Sequence, residues 1–452
     1  MNVMTKLFGT NGVRGIINQD MSADLALDVG RAIGTFMQGR VAIATDTRTS
    51  GDMLRALVSG GMTSAGSSVV DLGMLPTPAL QYYVKNSGVK GGVMITASHN
   101  PPEFNGIKCV DHDGTEMPRR KEEVIERIYG DREFATPVWK DVGRMTRLDG
   151  VASSYANAIR RAVDRFKIEE AKLNVVLDCA NGAGAVTSPG LLDSLGVRAI
   201  TLNGNPQGTF PGHPSEPTPD NLRDLVAVVK ATGADLGIAH DGDADRTIFV
   251  DDQGNYVYGD RSLTVVASHM VQENGGGIVV TPVSTSSCLE EVVRSHNGQV
   301  LYTKVGAPIV ARRMMEVQAV FGGEENGGLI FPQHQHCRDA AMAMAKMLEI
   351  IATKGPLSQL LEEVPMYCLD KRKLACPEDK KEWVLEQVEA YFADQRTDVT
   401  DGVKVFFDGG WSLVRPSGTE PIFRVFSEGK DEDIAKRCGD ECEKVLRELL
   451  EE

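Results

Sequence analysis

A chain of 452 residues, 42% hydrophobic and 25% charged, is too long for one ordinary core and suits roughly three globular domains, or four if one is small. Its net charge of −15 argues against nucleic acid or an anionic membrane as the main partner, and no run approaches the roughly 18 apolar residues of a spanning helix. Residues 1–10 lack a secretory hydrophobic region, and eight cysteines without a Cys-x-x-Cys pair read as reduced thiols, so a cytoplasmic protein is expected.

The first feature in chain order is Lys6-Leu7-Phe8-Gly9-Thr10-Asn11-Gly12-Val13-Arg14-Gly15, a glycine-rich turn around Arg14. An apolar strand at 41–44, a polar loop at 45–51 and a helix from about Met53 to Ser64 follow. The apolar run Val93-Met94-Ile95 then stops at Thr96-Ala97-Ser98-His99-Asn100, and Pro101-Pro102 stiffens the polar loop that continues to Lys108. Ser98 is a candidate for covalent chemistry at the carboxyl end of a strand, with His99 beside it to orient it, although a Ser-x-Asn-Pro segment alone can simply cap a turn.

Residues 119–132 read as a solvated charged helix and 151–166 as one long helix. The strand, loop and helix grammar returns at 175–178, 181–184 and 189–195, and again at 278–280, 284–287 and 289–295. Strands alternating with helices imply three related α/β domains with mixed, mostly parallel sheets. Domain boundaries are expected at 1–150, 151–253, 254–366 and 367–452. After Gly355-Pro356 the pattern changes to strands at 403–407, 411–415 and 422–426 and a charged helix at 431–450, a smaller C-terminal α+β domain.

Asp241-Gly242-Asp243-Ala244-Asp245-Arg246 places three carboxylates at alternate positions, a pattern that suits a hard divalent cation, with an acidic surface turn as the plain alternative. An EF-hand does not fit, because Asp252 stands where the distal glutamate belongs and 248–250 is a strand. Residues 251–255 make the turn of a hairpin. Gly322-Gly323-Glu324-Glu325-Asn326-Gly327-Gly328, after a strand at 319–321, suits sugar hydroxyls or is a surface turn. Arg415-Pro416-Ser417-Gly418-Thr419-Glu420-Pro421, with Arg424 beyond it, offers a phosphate cradle or an ordinary hairpin loop. Arg14, Lys108, Arg246, Arg415 and Arg424 would supply local positive charge to an acidic chain. His334 and His336 lack a further soft ligand and read as hydrogen-bonding or packing residues. Neither a nucleotide P-loop nor Gly-x-Gly-x-x-Gly after a suitable strand occurs.

These four loops, in this order along almost the whole chain, resemble those of the α-D-phosphohexomutase family: Thr-Ala-Ser-His-Asn-Pro at 96–101, Asp-Gly-Asp-Ala-Asp-Arg at 241–246, Gly-Glu-Glu-Asn-Gly at 323–327 and Arg-Pro-Ser-Gly-Thr-Glu-Pro at 415–421. The resemblance implies three α/β domains and a smaller fourth around a central cleft. It implies a covalent phosphate on Ser98, one Mg²⁺ per subunit held by Ser98, Asp241, Asp243 and Asp245, and a hexose 1,6-bisphosphate as intermediate and activator. Arg14, His99 and Lys108 would serve the transfer. Lys304, Glu324, Asn326, Arg246, Arg415, Ser417, Gly418, Thr419 and Arg424 would bind the sugar phosphate. Many members carry a histidine directly after the sugar loop's second glycine; Gly328 stands there, which leaves the general base among His99, Lys108, His334 and His336. The 8–15 segment and the doubled glycine before Glu324 resemble the phosphoglucosamine mutase branch, and Glu325-Asn326-Gly327-Gly328 resembles its archaeal form, with glucosamine phosphate the expected substrate and broader mannose and glucose phosphate specificity the alternative. A phosphatase and a non-catalytic sugar-phosphate binder are the rivals. Beyond small sugar phosphates, the only partner expected is a second copy in a homodimer.

Overall fold

The computed structural model describes residues 7–9, 12–417 and 421–451. They divide into two compact units, one from 1–262 with 326–361 and the other from 263–325 with 362–452.

The first unit opens with a six-stranded sheet, ordered Val13–Ile16, Phe104–Asp111, Gly91–Ile95, Arg40–Thr45, Ser68–Met74 and Met145–Arg147. Its middle is parallel, and Phe104–Asp111 returns antiparallel beside Gly91–Ile95. The Pro101-Pro102 loop is therefore shorter than the sequence suggests: Lys108 sits on a buried strand, paired with Met94. Helices Ala23–Met37 and Gly51–Ser64 share a core with Val41, Ile43, Val93 and Ile95. Both parallel strands Arg40–Thr45 and Gly91–Ile95 deliver their carboxyl ends to the same edge, where ligands of α/β sheets bind.

The second sheet of this unit runs Tyr256–Val257, Thr247–Val250, Leu236–His240, Asn174–Asp178 and Arg198–Leu202, parallel except for the first two. Asp241 follows its central strand directly, and the hairpin around 251–255 forms as expected. The expected helix over 151–166 is two, Val151–Arg161 and Arg165–Ala171. Asp164 breaks it, because its side chain caps the second helix by accepting from the Lys167 amide at 3.3 Å. The hairpin Gly328–Phe331 and Gln335–Arg338 and the helix Ala340–Lys354 also belong here. Asp339 caps that helix, accepting from Met342 N at 2.9 Å and from the buried Tyr155 hydroxyl at 2.5 Å, while Gln335 donates to its other oxygen at 2.7 Å.

In the second unit, Gly277–Pro282 pairs in parallel with both Gly298–Thr303 and Phe321–Glu324. The strand expected at 319–321 thus begins later and carries Glu324 at its end. An antiparallel sheet follows, ordered Cys368–Ala375, Ile422–Gly429, Gly410–Pro416, Val403–Phe407 and Thr397–Asp398, backed by Lys381–Tyr391 and Glu432–Glu451. Its first strand and the 381–391 helix escape sequence reading, since Cys-Leu-Asp-Lys-Arg-Lys-Leu-Ala carries four charges in eight residues. Trp411 Nε1 donates to Ser287 and Glu428, and Lys404 Nζ lies 3.6 Å over the Trp411 ring while donating to Val283 O, which ties this sheet to the 277–303 region. Among the described residues, no helix is long and apolar enough to cross a membrane. None of the eight cysteines forms a disulfide.

Candidate active site

Ser98 leaves the Gly91–Ile95 strand buried and in the left-handed region, φ +51°, a conformation that costs a serine on the order of 1–3 kcal/mol. Its surroundings hold it there. The Ser98 amide donates to Thr96 Oγ1 at 2.9 Å, and that hydroxyl donates to Asp46 at 2.6 Å. Asp46 in turn pairs with Arg48 Nε at 3.2 Å. The Arg48 guanidinium then donates to four carbonyls of the loop: Ser98 at 2.9 Å, Asn100 at 2.5 Å, Pro101 at 2.6 Å and Phe104 at 2.7 Å. One planar fork thus fixes the whole 98–104 turn. Burial pushes the Asp46 carboxyl up to about 6, against the opposing pull of Arg48 and Thr96.

The Ser98 hydroxyl donates to Asp241 Oδ2 at 2.8 Å. Such closeness requires glycine at 242, where a Cβ would lie 2.5 Å from the Ser98 carbonyl oxygen. Asp241, Asp243 and Asp245 are buried, and each offers an oxygen within 4.8 Å of those of the other two. Arg246 donates to Asp241 through Nε at 3.1 Å and through its amide at 3.1 Å. Lys108 Nζ donates to Asp243 Oδ2 at 2.9 Å and Thr77 Oγ1 to the same oxygen at 2.6 Å. Arg338 donates to Asp245 Oδ2 at 2.5 Å. Asp243 Oδ1 and Asp245 Oδ1 are buried without a hydrogen-bond partner among the described residues. Two carboxylate oxygens that accept no hydrogen bond, one of them 3.7 Å from Arg246 Nε, beside a third acid fit a hard dication, which takes oxygen ligands.

Burial, reinforced by Asp245 and Asp243, pushes Asp241 up to about 7 despite Arg246. Asp243 goes the other way: although burial opposes it, Lys108, Thr77 and Arg14 hold it well below the usual carboxylate range. Arg14 donates to Asn100 Oδ1 at 3.0 Å, and its own pKa is lowered by burial. His99 Nδ1 stands 3.5 Å from Ser98 Oγ, and burial with Arg246 and Arg14 pushes its pKa down to about 3, so the ring is neutral at physiological pH.

Of the remaining expected residues, Asn326 lies in the same unit and accepts from the Gly328 amide at 3.1 Å. His334 stacks on Tyr82 with centroids 5.4 Å apart, within the Tyr155–Asp339 cluster, as a packing histidine would. His336 lies half-buried on the Gln335–Arg338 strand. In the second unit, buried Glu324 accepts from Gly306 N at 3.2 Å, and Glu325 from Ser284 at 3.0 Å. Lys304 is exposed just after the Gly298–Thr303 strand. Asp401 Oδ2 accepts from both Val305 N at 3.0 Å and Arg415 Nε at 2.6 Å, which joins the Lys304 loop to Arg415. Arg415 and Arg424 face each other across adjacent antiparallel strands. Ser417 is buried, and its carbonyl accepts from Lys381 at 2.7 Å. Gly418 and Thr419, like Lys6, Thr10 and Asn11 in the first loop, lie outside the described residues.

Arg48, Asp46, Thr77 and Arg338 were not expected at this site. Asp-x-Arg at the end of the strand beside Gly91–Ile95 was the available signal for the first two.

Four family models match the chain. Those for phosphoglucomutase/phosphomannomutase α/β/α domains I, II and III match residues 5–136, 153–254 and 258–367, and that for the C-terminal domain matches 373–445. The chain is 42% identical, over 99% of its own length and 100% of the relative's, to a phosphoglucomutase/phosphomannomutase of Thermococcus kodakarensis. It is 43% identical to a phosphoglucosamine/phosphogalactosamine mutase of Sulfurisphaera tokodaii, over 98% and 99% of the two chains. A crystal structure of a phosphoglucomutase/phosphomannomutase family protein from Burkholderia thailandensis superposes with a TM-score of 0.88 at 29% identity, over 98% and 97% of the two chains. With all four domain models and full-length relatives in agreement, the chain belongs to the phosphoglucomutase/phosphomannomutase family, the phosphohexomutases.

Proposed function

We propose that the protein is a phosphoglucosamine mutase, interconverting glucosamine 6-phosphate and glucosamine 1-phosphate through a phosphorylated Ser98 and a 1,6-bisphosphate. The observation that carries this reading is the Ser98 hydroxyl hydrogen-bonded to Asp241 beside two buried carboxylate oxygens that have no partner among the described residues. Asp241, Asp243 and Asp245, with Ser98, would hold one Mg²⁺ per subunit. A bound Mg²⁺ would neutralise charge on the transferring phosphoryl group.

In the forward half-reaction the bond between Ser98 Oγ and phosphorus breaks. A new bond forms to the free hydroxyl of the sugar monophosphate, the proton of that hydroxyl passes to a base, and the departing Ser98 oxygen keeps the bonding pair and takes up a proton to restore the serine hydroxyl. The return half-reaction moves the bisphosphate's other phosphoryl group back to Ser98, so the net result is isomerisation. Arg48 holds the serine for attack, and Lys108, Arg14 and Arg246 supply positive charge around it. Neutral His99, within 3.5 Å of Ser98 Oγ, is the best-placed proton acceptor, because Lys108 is engaged with Asp243 and His334 is packed in the Tyr155–Asp339 cluster.

Glu324 and Asn326 would bind the sugar hydroxyls, with Lys304 in the loop whose Gly306 amide donates to Glu324. Arg415, Arg424, Ser417, Gly418 and Thr419 would bind the non-reacting phosphate. Arg415 and Arg424 lie opposite each other on adjacent strands, and with Asp401 already paired to Arg415 a bound phosphate would add further counter-charge there. The amino-sugar assignment rests on the 8–15 and 322–328 segments and on the name of the Sulfurisphaera relative. The name of the Thermococcus relative supports a second reading, broad activity on glucose and mannose phosphates. Eight cysteines, none in a disulfide, favour a reducing, cytoplasmic location.

The test is to incubate the protein with glucosamine 6-phosphate, Mg²⁺ and a trace of glucosamine 1,6-bisphosphate as activator. The 1-phosphate should accumulate, and intact mass should show one phosphoryl group that Ser98→Ala lacks. Inorganic phosphate as the dominant product would identify a phosphatase instead, and tight ligand binding without turnover a sensor. A higher kcat/KM for glucose or mannose phosphates would move the assignment to the broad-specificity reading.

A further inference from the structure

Each acid of the buried triad has one oxygen taken by its own cation. Asp241 Oδ2 accepts from Arg246, Asp243 Oδ2 from Lys108 and Asp245 Oδ2 from Arg338. The first two cations lie in or near recognisable loops. The third comes from the far end of the Gln335–Arg338 strand and reaches the triad past Gly328. Its stem runs against Gly328, where a Cβ would stand 2.2 Å from Arg338 Cδ and 2.9 Å from Cγ. Gly328 does not have a positive φ, so its backbone would accept alanine. What glycine provides there is passage for the arginine.

We propose that Arg338 is a positioning residue that sets the ion preference of the triad. By occupying Asp245 Oδ2 it leaves that carboxylate only Oδ1 to offer, as Lys108 and Thr77 leave Asp243 only its Oδ1. A carboxylate held this way cannot close both oxygens on one ion. Calcium readily takes both oxygens of a carboxylate and expands to 6–8 ligands, whereas magnesium accepts a few single oxygens and keeps its waters. Clamping all three acids therefore selects the smaller ion. The inference rests on the reading of the triad as a metal site, and it also explains the glycine that replaces the histidine of many family members: a side chain at 328 and the Arg338 clamp exclude each other.

The experiment measures direct binding of Mg²⁺ and of Ca²⁺ by competition with Mn²⁺, followed by the Mn²⁺ spin-resonance signal, on full-length protein with Ser98 intact and phosphorylated, its phosphoryl content checked by intact mass. In Arg338→Met the preference for Mg²⁺ over Ca²⁺ should fall by about tenfold, the order of loss typical when a residue behind a metal ligand is removed. Gly328→Ala, with Arg338 still present, should shift it in the same direction. Arg338→Lys, which keeps a cation beside Asp245, should stay within about threefold of the parent. Should Arg338→Met fail to fold, Gly328→Ala carries the test. An unchanged Mg²⁺/Ca²⁺ ratio in the folded variants, including an equal rise in both affinities from simple loss of charge, overturns the proposal. Absence of metal binding in the parent would overturn the metal-site reading as well, which separates the two failures.

Discussion

Replacing Arg48 by methionine keeps the apolar stem and removes the fork that holds the serine loop. Two costs follow. Four loop carbonyls lose a charged donor, each worth on the order of 1 kcal/mol after partial rehydration. The buried Asp46 carboxylate loses its paired cation. In the intact protein that group titrates near 6 against an ordinary 3.8, so its charged form already opposes folding by about 3 kcal/mol above pH 6. Because the folded value is raised, this group favours the fold most at low pH, and that contribution is lost as pH climbs through 6. Without Arg48 the folded value rises further, and the loss continues at about 1.4 kcal/mol per pH unit beyond 6. The total at pH 7 is on the order of 3–5 kcal/mol, in the range for breaking a buried ion pair. Urea midpoints of the first unfolding transition should thus separate from the parent more at pH 8 than at pH 6. Released from its clamp, Ser98 can relax from φ +51°, and a shift of about 1 Å in the reacting oxygen should lower kcat on the order of a hundredfold. Equal destabilisation at both pH values, or a kcat within about threefold of the parent, would refute this account.

Thr77→Val removes the short hydrogen bond to Asp243 with little change of shape, and should weaken Mn²⁺ binding by about tenfold at a stability cost of about 1–3 kcal/mol; normal ion affinity would deny Thr77 any part in orienting that acid. Tyr155→Phe leaves Asp339 without its buried hydroxyl donor and should cost about 1–3 kcal/mol, read by urea unfolding. The His213–Asp178 pair gives a pH signature. Although burial opposes it, Asp178 raises the pKa of His213, and the hydrogen bonds from His213 and Asn203 lower that of Asp178. The histidine's contribution is complete below its ordinary 6.5 and lost as pH rises through the raised value, and the aspartate's is complete above 3.8 and lost as pH falls through the depressed value. His213→Asn should therefore destabilise more at pH 6 than at pH 9, and identical losses at the two would contradict the pairing.

Much of the site was legible because its parts are short and local. Ser98, the alternating aspartates and Arg246 each stand within a few residues of a strand end, where a turn forces side chains toward one point. The loop residues around Asn326 were legible for the same reason. Thr77 was not, since its partner Asp243 lies 166 residues away, and neither was Arg338, 93 residues from Asp245. Nothing in Gln335-His336-Cys337-Arg338 announces a reach of that length; only the packing of the hairpin beside the metal loop supplies it. Lys108 was recognised as a cation but misread as a loop residue, because Phe104–Asp111 alternates imperfectly and is buried on both faces. Helix 151–166 failed on a single cap, Asp164, in a segment whose hydrophobic spacing continues through the break.

The acidic chain and its anionic chemistry are reconciled at the scale of the site. Around Ser98 stand four carboxylates, Asp241, Asp243, Asp245 and Glu116, and four cations, Arg14, Lys108, Arg246 and Arg338, with Arg338 Nη2 3.8 Å from Glu116 and Lys108 also 3.9 Å from Asp245. With all eight ionised, and half-exposed Glu216 beside Arg246 left to solvent, the charges balance, and little of the cluster is in contact with water. A phosphoryl dianion added alone would leave two negative charges in a low-dielectric site, and a dication alone two positive ones, each an expensive excess. Added together they restore parity. On the proposed reading of the site, neither would be well held without the other, and the energetic weight would fall on a phosphorylated serine and its counter-ion as one unit. The net charge of −15, spread over the rest of the surface and screened beyond about 8–10 Å, has little say in what happens at Ser98.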